Sequence, residues 1–98
     1  MIYHVTTKTL WALALQQGFY EVPSLALEGF IHNSTAAQVP GVLQRYYKDQ
    51  IDLVLLHVEE TKLQSPLRYE LAPSVNEMFP HIFGPINLDA VVSVENIK

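Results

Sequence analysis

The stretch that decides the fold is Ile51-Asp52-Leu53-Val54-Leu55-Leu56-His57-Val58. Its consecutive apolar residues leave neither face of the segment polar, which is typical of a strand buried at the centre of a sheet. Asp52 and His57 bound the run, so it falls far short of the roughly 20 apolar residues that a membrane span requires. The sequence therefore predicts a central strand over 51–58 in a soluble protein.

A strand followed by a helix is predicted at the N-terminus. Ile2 to Thr6 forms a short strand with Tyr3 and Val5 on one face and the intervening residues on the other. Thr7 can cap the helix that follows, and Gly18 suits its end. The apolar stripe of this helix consists of Leu10, Trp11, Leu13, Ala14 and Leu15.

A second strand and helix are predicted before the central strand. Phe30 to Asn33 forms the strand, and Ser34 or Thr35 opens the helix. Pro40 lies near the start of this helix, so we expect an irregular first turn. The helical stripe consists of Val39, Val42, Leu43, Tyr46 and Tyr47.

The remainder of the chain predicts two more strands and a loop. Leu67 to Leu71 and Leu88 to Val94 form the strands, whereas residues 72–86 carry three prolines and a glycine and predict a long structured loop. The pattern indicates the α+β class. We expect one small domain over 1–98, with a mixed or antiparallel sheet of about five to six short strands and two main helices.

Composition excludes several classes of protein. Of the 98 residues, 49% are hydrophobic and 16% are charged, which disfavours disorder. The absence of cysteine excludes disulfides, thiolate nucleophiles and Cys-ligated metals. A net charge of -4 makes nucleic acid an improbable partner. The N-terminus lacks a signal-peptide pattern, so we expect a cytoplasmic monomer or small homo-oligomer that does not bind membranes.

Two histidines lie beside hydroxyl residues in the predicted strands. His4 shares a strand face with Thr6, and His32 shares one with Ser34. If the two strands are adjacent, these four side chains line one polar cleft, where histidine can donate, accept or transfer a proton. The alternative is that each histidine is a half-buried residue held by a neighbour. His57 ends the central strand and is interpreted as structural or solvent-facing.

The segment Phe79 to Pro85 presents a third histidine of interest. Two prolines and a glycine restrict its backbone, and His81 is its one titratable residue, so it can form a rigid part of a site or an ordinary packed loop. The spacing of the histidines matches no metal motif, so we expect no metal site. No serine lies in a Gly-x-Ser-x-Gly motif. Glu28 and Glu77 are interpreted as solvated carboxylates, with a general base as the alternative.

Two long motifs resemble the bacterial domain-of-unknown-function family 952. They are Ser24 to Ser34 with the following Gln38, and Phe79 to Val92. The opening Tyr3-His4-Val5-Thr6 and the stretch from Trp11 to Gly18 fit as well, so the resemblance covers nearly the whole chain. It implies a small α+β domain of unassigned activity.

The opening Tyr-His-Val-Thr is also distantly similar to the Tyr-His-Gly-Thr start of ADP-ribosyltransferase-like folds and RNA 2′-phosphotransferases. That resemblance implies that His4 contacts a ribose of NAD or ADP-ribose with Thr6 as its support. It also places Phe30, His32 and Ser34 at the cleft. Val5 stands where that superfamily often has glycine. The catalytic glutamate has no clear counterpart, Glu77 being the nearest and His81 a polar substitute.

The predicted site combines these readings. The catalytic candidates are His4, His32 and His81, the candidates for binding a cofactor or ligand are Thr6, Phe30, Ser34, Gln38 and Phe83, and no metal ligand is assigned. Three functions stay open. The cleft binds a small nucleotide-like ligand related to NAD or ADP-ribose, it belongs to an enzyme of the ADP-ribosyl or phosphotransferase type, or the domain mediates interactions and its histidines are structural.

Overall fold

Eight short strands and three α-helices make up the computed structural model, which describes residues 1–98. The strands are β1 (Ile2–Thr7), β2 (Phe19–Tyr20), β3 (Ile31–His32), β4 (Leu53–Val58), β5 (Leu67–Ala72), β6 (Glu77–Ile82), β7 (Ile86–Asn87) and β8 (Val91–Asn96). The helices are α1 (Lys8–Gln17), α2 (Pro23–Glu28) and α3 (Val39–Tyr46). Short 3₁₀ turns cover Ala36–Gln38, Glu60–Lys62 and Leu88–Ala90.

All strand pairing is antiparallel, in three small sheets with the orders β1-β4-β8, β2-β7 and β3-β6-β5. The predicted α+β class is confirmed. The strands number eight because three of them, β2, β3 and β7, are only two residues long, and they divide among three small sheets.

The central strand β4 carries the core on both faces. It begins at Leu53 rather than Ile51, because Asp52 has a φ of 57° and Ile51 is 75% exposed. Val54, Leu56 and Val58 belong to the main apolar cluster. The alternate residues Leu53 and Leu55 pack with Val5 in a smaller one.

The predicted helix contacts divide between these two clusters. Leu10 and Trp11 of α1 pack against the main cluster, whereas Leu43 of α3 and the adjacent Tyr47 pack against the smaller one. The two helices pack on different clusters because successive side chains of β4 point to opposite faces of the sheet. Leu13, which was predicted in the apolar stripe of α1, is 47% exposed and does not belong to the core.

Both ends of α1 follow the sequence prediction. The Leu10 amide donates to Thr7 Oγ1 at 3.1 Å, and Gly18 adopts a φ of 92°. The irregular start of the second predicted helix is also confirmed. The 3₁₀ turn Ala36–Gln38 leads into α3, whose first turn contains Pro40.

The predicted loop over 72–86 was wrong, because it contains strand β6 and begins β7. Pro80 lies within β6, between β3 and β5, where proline normally disrupts pairing. The Pro80 carbonyl accepts from the Asn33 amide at 3.0 Å, so the ring nitrogen of Pro80 also faces the side of β6 that pairs with β3. The N–H that proline lacks would donate to the Asn33 carbonyl, so the pairing of β6 with β3 ends there, whereas the pairing with β5 continues.

The sheets β1-β4-β8 and β3-β6-β5 meet at a single bridge. The Tyr3 amide donates to the Ser34 carbonyl at 2.8 Å, and the Ser34 amide donates back at 2.7 Å. Beyond this bridge β3 pairs with β6 instead of β1. The two strands diverge there and leave a cleft. No helix in the structure has the length and apolar character needed to cross a membrane.

Candidate functional site

A cavity of about 590 Å³ occupies the cleft between β1 and β3. β1, the β2–α2 connection, residues 32–34, α3 and β6 contribute its walls. The polar and aromatic residues that line it are Tyr3, His4, Thr6, Thr7, Tyr20, Ser24, His32, Asn33, Ser34, Tyr46, Tyr47, Phe79 and His81. No lysine or arginine lines it.

The structure brings five of the eight predicted site residues to this cavity. They are His4, Thr6, His32, Ser34 and His81. The remaining three, Phe30, Gln38 and Phe83, lie outside the lining. The residues that line the cleft come from three distant parts of the chain, which the divergence of β1 and β3 and the pairing of β3 with β6 place together.

His4 is buried at the bottom of the cavity with both ring nitrogens occupied. Nδ1 lies 2.5 Å from the His32 carbonyl, and Nε2 lies 2.6 Å from the Tyr20 hydroxyl. A carbonyl only accepts, so Nδ1 donates and Nε2 accepts from Tyr20. Burial lowers the pKa of His4 to about 4 and raises the pKa of the Tyr20 hydroxyl.

This environment does not suit the catalytic role predicted for His4, because both of its ring nitrogens are already bonded within the protein. His4 is 6% exposed and is neutral at pH 7. Its bonds to His32 and Tyr20 join β1 to β3 and β2, so its replacement by Ala removes structural contacts rather than leaving the fold intact.

His32 and His81 form two neighbouring histidine–carboxylate pairs. His32 Nε2 lies 2.8 Å from Glu28 Oε2, and His81 Nδ1 lies 2.7 Å from Glu70 Oε1. The two residues are register partners across β3 and β6, and their ring centroids are 5.4 Å apart. The Glu28 carboxylate is 50% exposed, which agrees with the expected solvated carboxylate, and it also accepts from His32.

Phe30 packs against both of these imidazoles from outside the cavity. Its ring stacks on His81 at a centroid distance of 3.9 Å and meets His32 edge-on at 4.9 Å. Phe83 lies next to Phe30 at 5.5 Å. Both aromatic residues therefore fix the orientation of the histidines rather than line the cleft.

Gln38 has a structural position. Its side-chain oxygen accepts from the Thr35 amide at 3.0 Å, and its amide nitrogen donates to the Met78 carbonyl at 2.8 Å. Glu77 is exposed beside it and does not line the cavity. His57 pairs with Glu95 on the sheet β1-β4-β8, at 2.9 Å, and does not line the cavity either.

Two buried oxygen atoms at the cavity make no hydrogen bond of normal geometry within the protein, although the first of them lies near the Tyr20 hydroxyl. They are Thr6 Oγ1 and Asn33 Oδ1, in residues that are 4% and 3% exposed. Asn33 Nδ2 donates to the Ile31 carbonyl at 3.0 Å, which fixes the direction of its amide. An unsatisfied buried polar group costs about 1–3 kcal/mol, so each requires a physical reason.

The outer edge of β1 carries a main-chain donor and acceptor that are not paired. Tyr3 uses its N–H and C=O for Ser34, so the N–H and C=O of Val5, two residues on, point to the same edge. The residue of β3 that would face Val5 is His32, which pairs with β6 instead. Val5 lines the cavity.

Sequence reasoning missed four groups of this site. Tyr20 and Asn33 were not assigned, and Tyr46 and Tyr47 were interpreted only as a helical stripe. Glu70, which does not line the cavity, was not singled out in the sequence, because its contact with His81 depends on the β5–β6 register. No group of three or more His, Asp or Glu side chains is arranged to hold a metal ion.

The family model for a protein of unknown function, DUF952, matches residues 5–94. The chain belongs to the DUF952 family. This DUF952 domain is similar to the crystal structure of protein CC0527 from Caulobacter crescentus, with 28% identity and a TM-score of 0.89, covering 99% of this chain and 85% of that one. A double mutant of CC0527 gives the same values.

The solution NMR structure of CC0527 is similar to the DUF952 domain at 30% identity and a TM-score of 0.84, covering 99% of this chain and 84% of that one. No curated protein matches the sequence. These matches support the DUF952 family and its fold, and they leave the resemblance to ADP-ribosyltransferases without support.

Proposed function

We propose that the cleft of this DUF952 domain binds a small nucleotide-like ligand of the NAD or ADP-ribose class. The observation that carries this proposal is the open edge of β1, where the N–H and C=O of Val5 face a cavity instead of a strand. A carboxamide, or the edge of a purine, offers an acceptor beside a donor. Such a group can therefore complete the edge as a neighbouring strand would.

The walls of the cavity suit the two halves of a nucleoside. Tyr3, Tyr46 and Tyr47 supply aromatic surface on which a planar base can stack. Ser34 and Thr6 supply hydroxyl groups on the polar side of the cleft, which suit the hydroxyls of a ribose. The volume of about 590 Å³ falls within the usual range of about 300–1,000 Å³ for small-molecule sites.

Charge determines how such a ligand would lie. The cavity has no lysine or arginine in its lining, and the chain carries a net charge of -4. The phosphates of a nucleotide would therefore lie at the mouth, where the His32 side chain is 56% exposed, while the base and ribose fill the interior.

Replacement of Thr6 by Val tests this proposal because it removes a buried hydroxyl without changing the volume much. Thr6 Oγ1 makes no hydrogen bond of normal geometry but lies close enough to the Tyr20 hydroxyl to lower its pKa, so we expect little change in the melting temperature. We expect binding of adenosine, ADP-ribose and NAD, measured by calorimetric titration, to weaken by about 2- to 13-fold, the equivalent of one lost hydrogen bond worth about 0.5–1.5 kcal/mol.

The matched control is Thr9→Val, because Thr9 is exposed on α1 and does not line the cavity. We expect it to leave affinity and stability unchanged. The proposal is wrong if the wild-type protein binds none of the three ligands at millimolar concentration, or if Thr9→Val weakens binding as much as Thr6→Val.

A further inference from the structure

We propose that His32 and His81 are an acid–base pair that hydrolyses a phosphodiester in the bound ligand. This inference rests on the proposed function, since it needs the base and ribose in the cleft and the phosphate at its mouth. The two side chains line the same cavity, and their ring centroids lie 5.4 Å apart. A phosphoryl group that contacts the free nitrogens of both rings can be attacked with the help of one histidine while the other protonates its leaving group.

Each histidine has one nitrogen committed and one available. Glu28 accepts from His32 Nε2 at 2.8 Å, and Glu70 accepts from His81 Nδ1 at 2.7 Å. Because a carboxylate accepts a hydrogen bond, the bonded nitrogen of each ring is protonated. The other nitrogen is the one that can take up or release a proton. Neither His32 Nδ1 nor His81 Nε2 makes a hydrogen bond within the protein.

Packing keeps the two rings in place. Phe30 stacks on His81 with an angle of 12° between the ring planes and meets His32 edge-on. The carboxylates hold the opposite side of each imidazole. A pair fixed from both sides loses little rotamer freedom when substrate binds, which is the condition for efficient proton transfer.

The charged and titratable groups around the pair come from three elements. Glu28 of α2, Glu70 and Arg68 of β5, and His4 of β1 face the two histidines from the elements packed against them. His4 is neutral at pH 7 because burial lowers its pKa to about 4. Arg68 is the register partner of His81 and makes no ion pair, so it can offset the charge of a phosphate at the mouth.

Exposure assigns the two roles. The His81 side chain is 11% exposed and the His32 side chain is 56% exposed. We assign the deeper His81 as the base and His32 as the acid, because the departing alcohol must leave towards solvent.

The reaction balances with water as the nucleophile. The water oxygen forms a bond to phosphorus while His81 takes its proton. The bond from phosphorus to the leaving oxygen breaks, its electron pair stays on that oxygen, and His32 donates the proton. Exchange with solvent returns both histidines to their starting states, and the products are a phosphomonoester and an alcohol.

The variants His32→Gln and His81→Gln test the pair, with EDTA present to remove metal-dependent contaminants. On the methyl ester of adenosine 5′-monophosphate, whose leaving group is an alkoxide on the solvent side of the phosphate, we expect each variant to lose about 10²- to 10⁴-fold in kcat/KM. Bis(4-nitrophenyl) phosphate has a leaving group that needs no proton. We expect His32→Gln to retain most activity on it, and His81→Gln to lose activity on both substrates.

The matched control is Glu95→Gln, which breaks the histidine–glutamate pair of His57 but keeps the His57 ring against Tyr3, and it should leave both rates unchanged. Melting temperatures of all variants show whether they are folded. If wild-type protein binds adenosine but hydrolyses neither substrate, the acid–base pair is wrong and the proposed function stands. If the wild-type protein hydrolyses the two substrates but His32→Gln and His81→Gln do so equally well, the proposed acid–base roles are also wrong. If hydrolysis depends on the pair but adenosine does not bind, the nucleotide proposal fails instead.

Discussion

Replacement of Leu56 by Ala is expected to lower the free energy of unfolding by about 2–5 kcal/mol. Leu56 has no exposed surface and lies in the main cluster, at the centre of β4, which pairs with strands on both sides. Removal of its side chain leaves a cavity that a strand held by two neighbours cannot close. For a domain of this size the melting temperature falls by about 4–8 °C for each kcal/mol, so the shift is large.

The matched control is Leu71→Ala. Leu71 is also in a strand, but it is 53% exposed on β5, so we expect a loss of about 0.5 kcal/mol or less. Urea denaturation of both variants measures the difference. A loss below about 1 kcal/mol for Leu56→Ala would mean that β4 is peripheral to the core.

Acidification is expected to destabilise the fold through His4. Burial holds its folded-state pKa at about 4, whereas an unfolded histidine has a pKa near 6.5. The unfolded chain therefore binds the extra proton as the pH falls from about 6.5 to about 4. The contribution of His4 to the free energy of unfolding is fully present above pH 6.5 and falls by about 3 kcal/mol between pH 6.5 and pH 4. Below pH 4, His4 no longer makes the free energy of unfolding depend on pH.

The contribution of His4 is isolated by comparing the wild-type protein with His4→Gln in urea denaturation at pH 4 to 7. We expect the variant to be less stable at pH 7 and to lose the slope, while His57→Gln keeps it. NMR titration of the His4 ring in the folded protein gives an independent measurement. A midpoint near 6.5 would show that His4 is not held neutral by burial.

The cleft illustrates why a correct pattern can carry an incorrect interpretation. The alternation of His4 with Thr6, and of His32 with Ser34, placed both pairs beside one cavity. The same pattern assigned similar roles to the two histidines. The structure separates them, since His4 bonds to Tyr20 at the bottom and His32 is open at the mouth. Burial depth depends on what packs above a strand, which alternation does not encode.

The sequence by itself determined the features that depend on residues close together in the chain. The apolar run of β4, the faces of β1, the cap at Thr7 and the end of α1 at Gly18 all follow from local periodicity and backbone preference. Only the tertiary structure decided that β6 is a strand despite Pro80, and that Glu70 meets His81. These features arise from strand register and from the divergence of β1 and β3 after the Tyr3–Ser34 bridge, and both are set by contacts between distant residues.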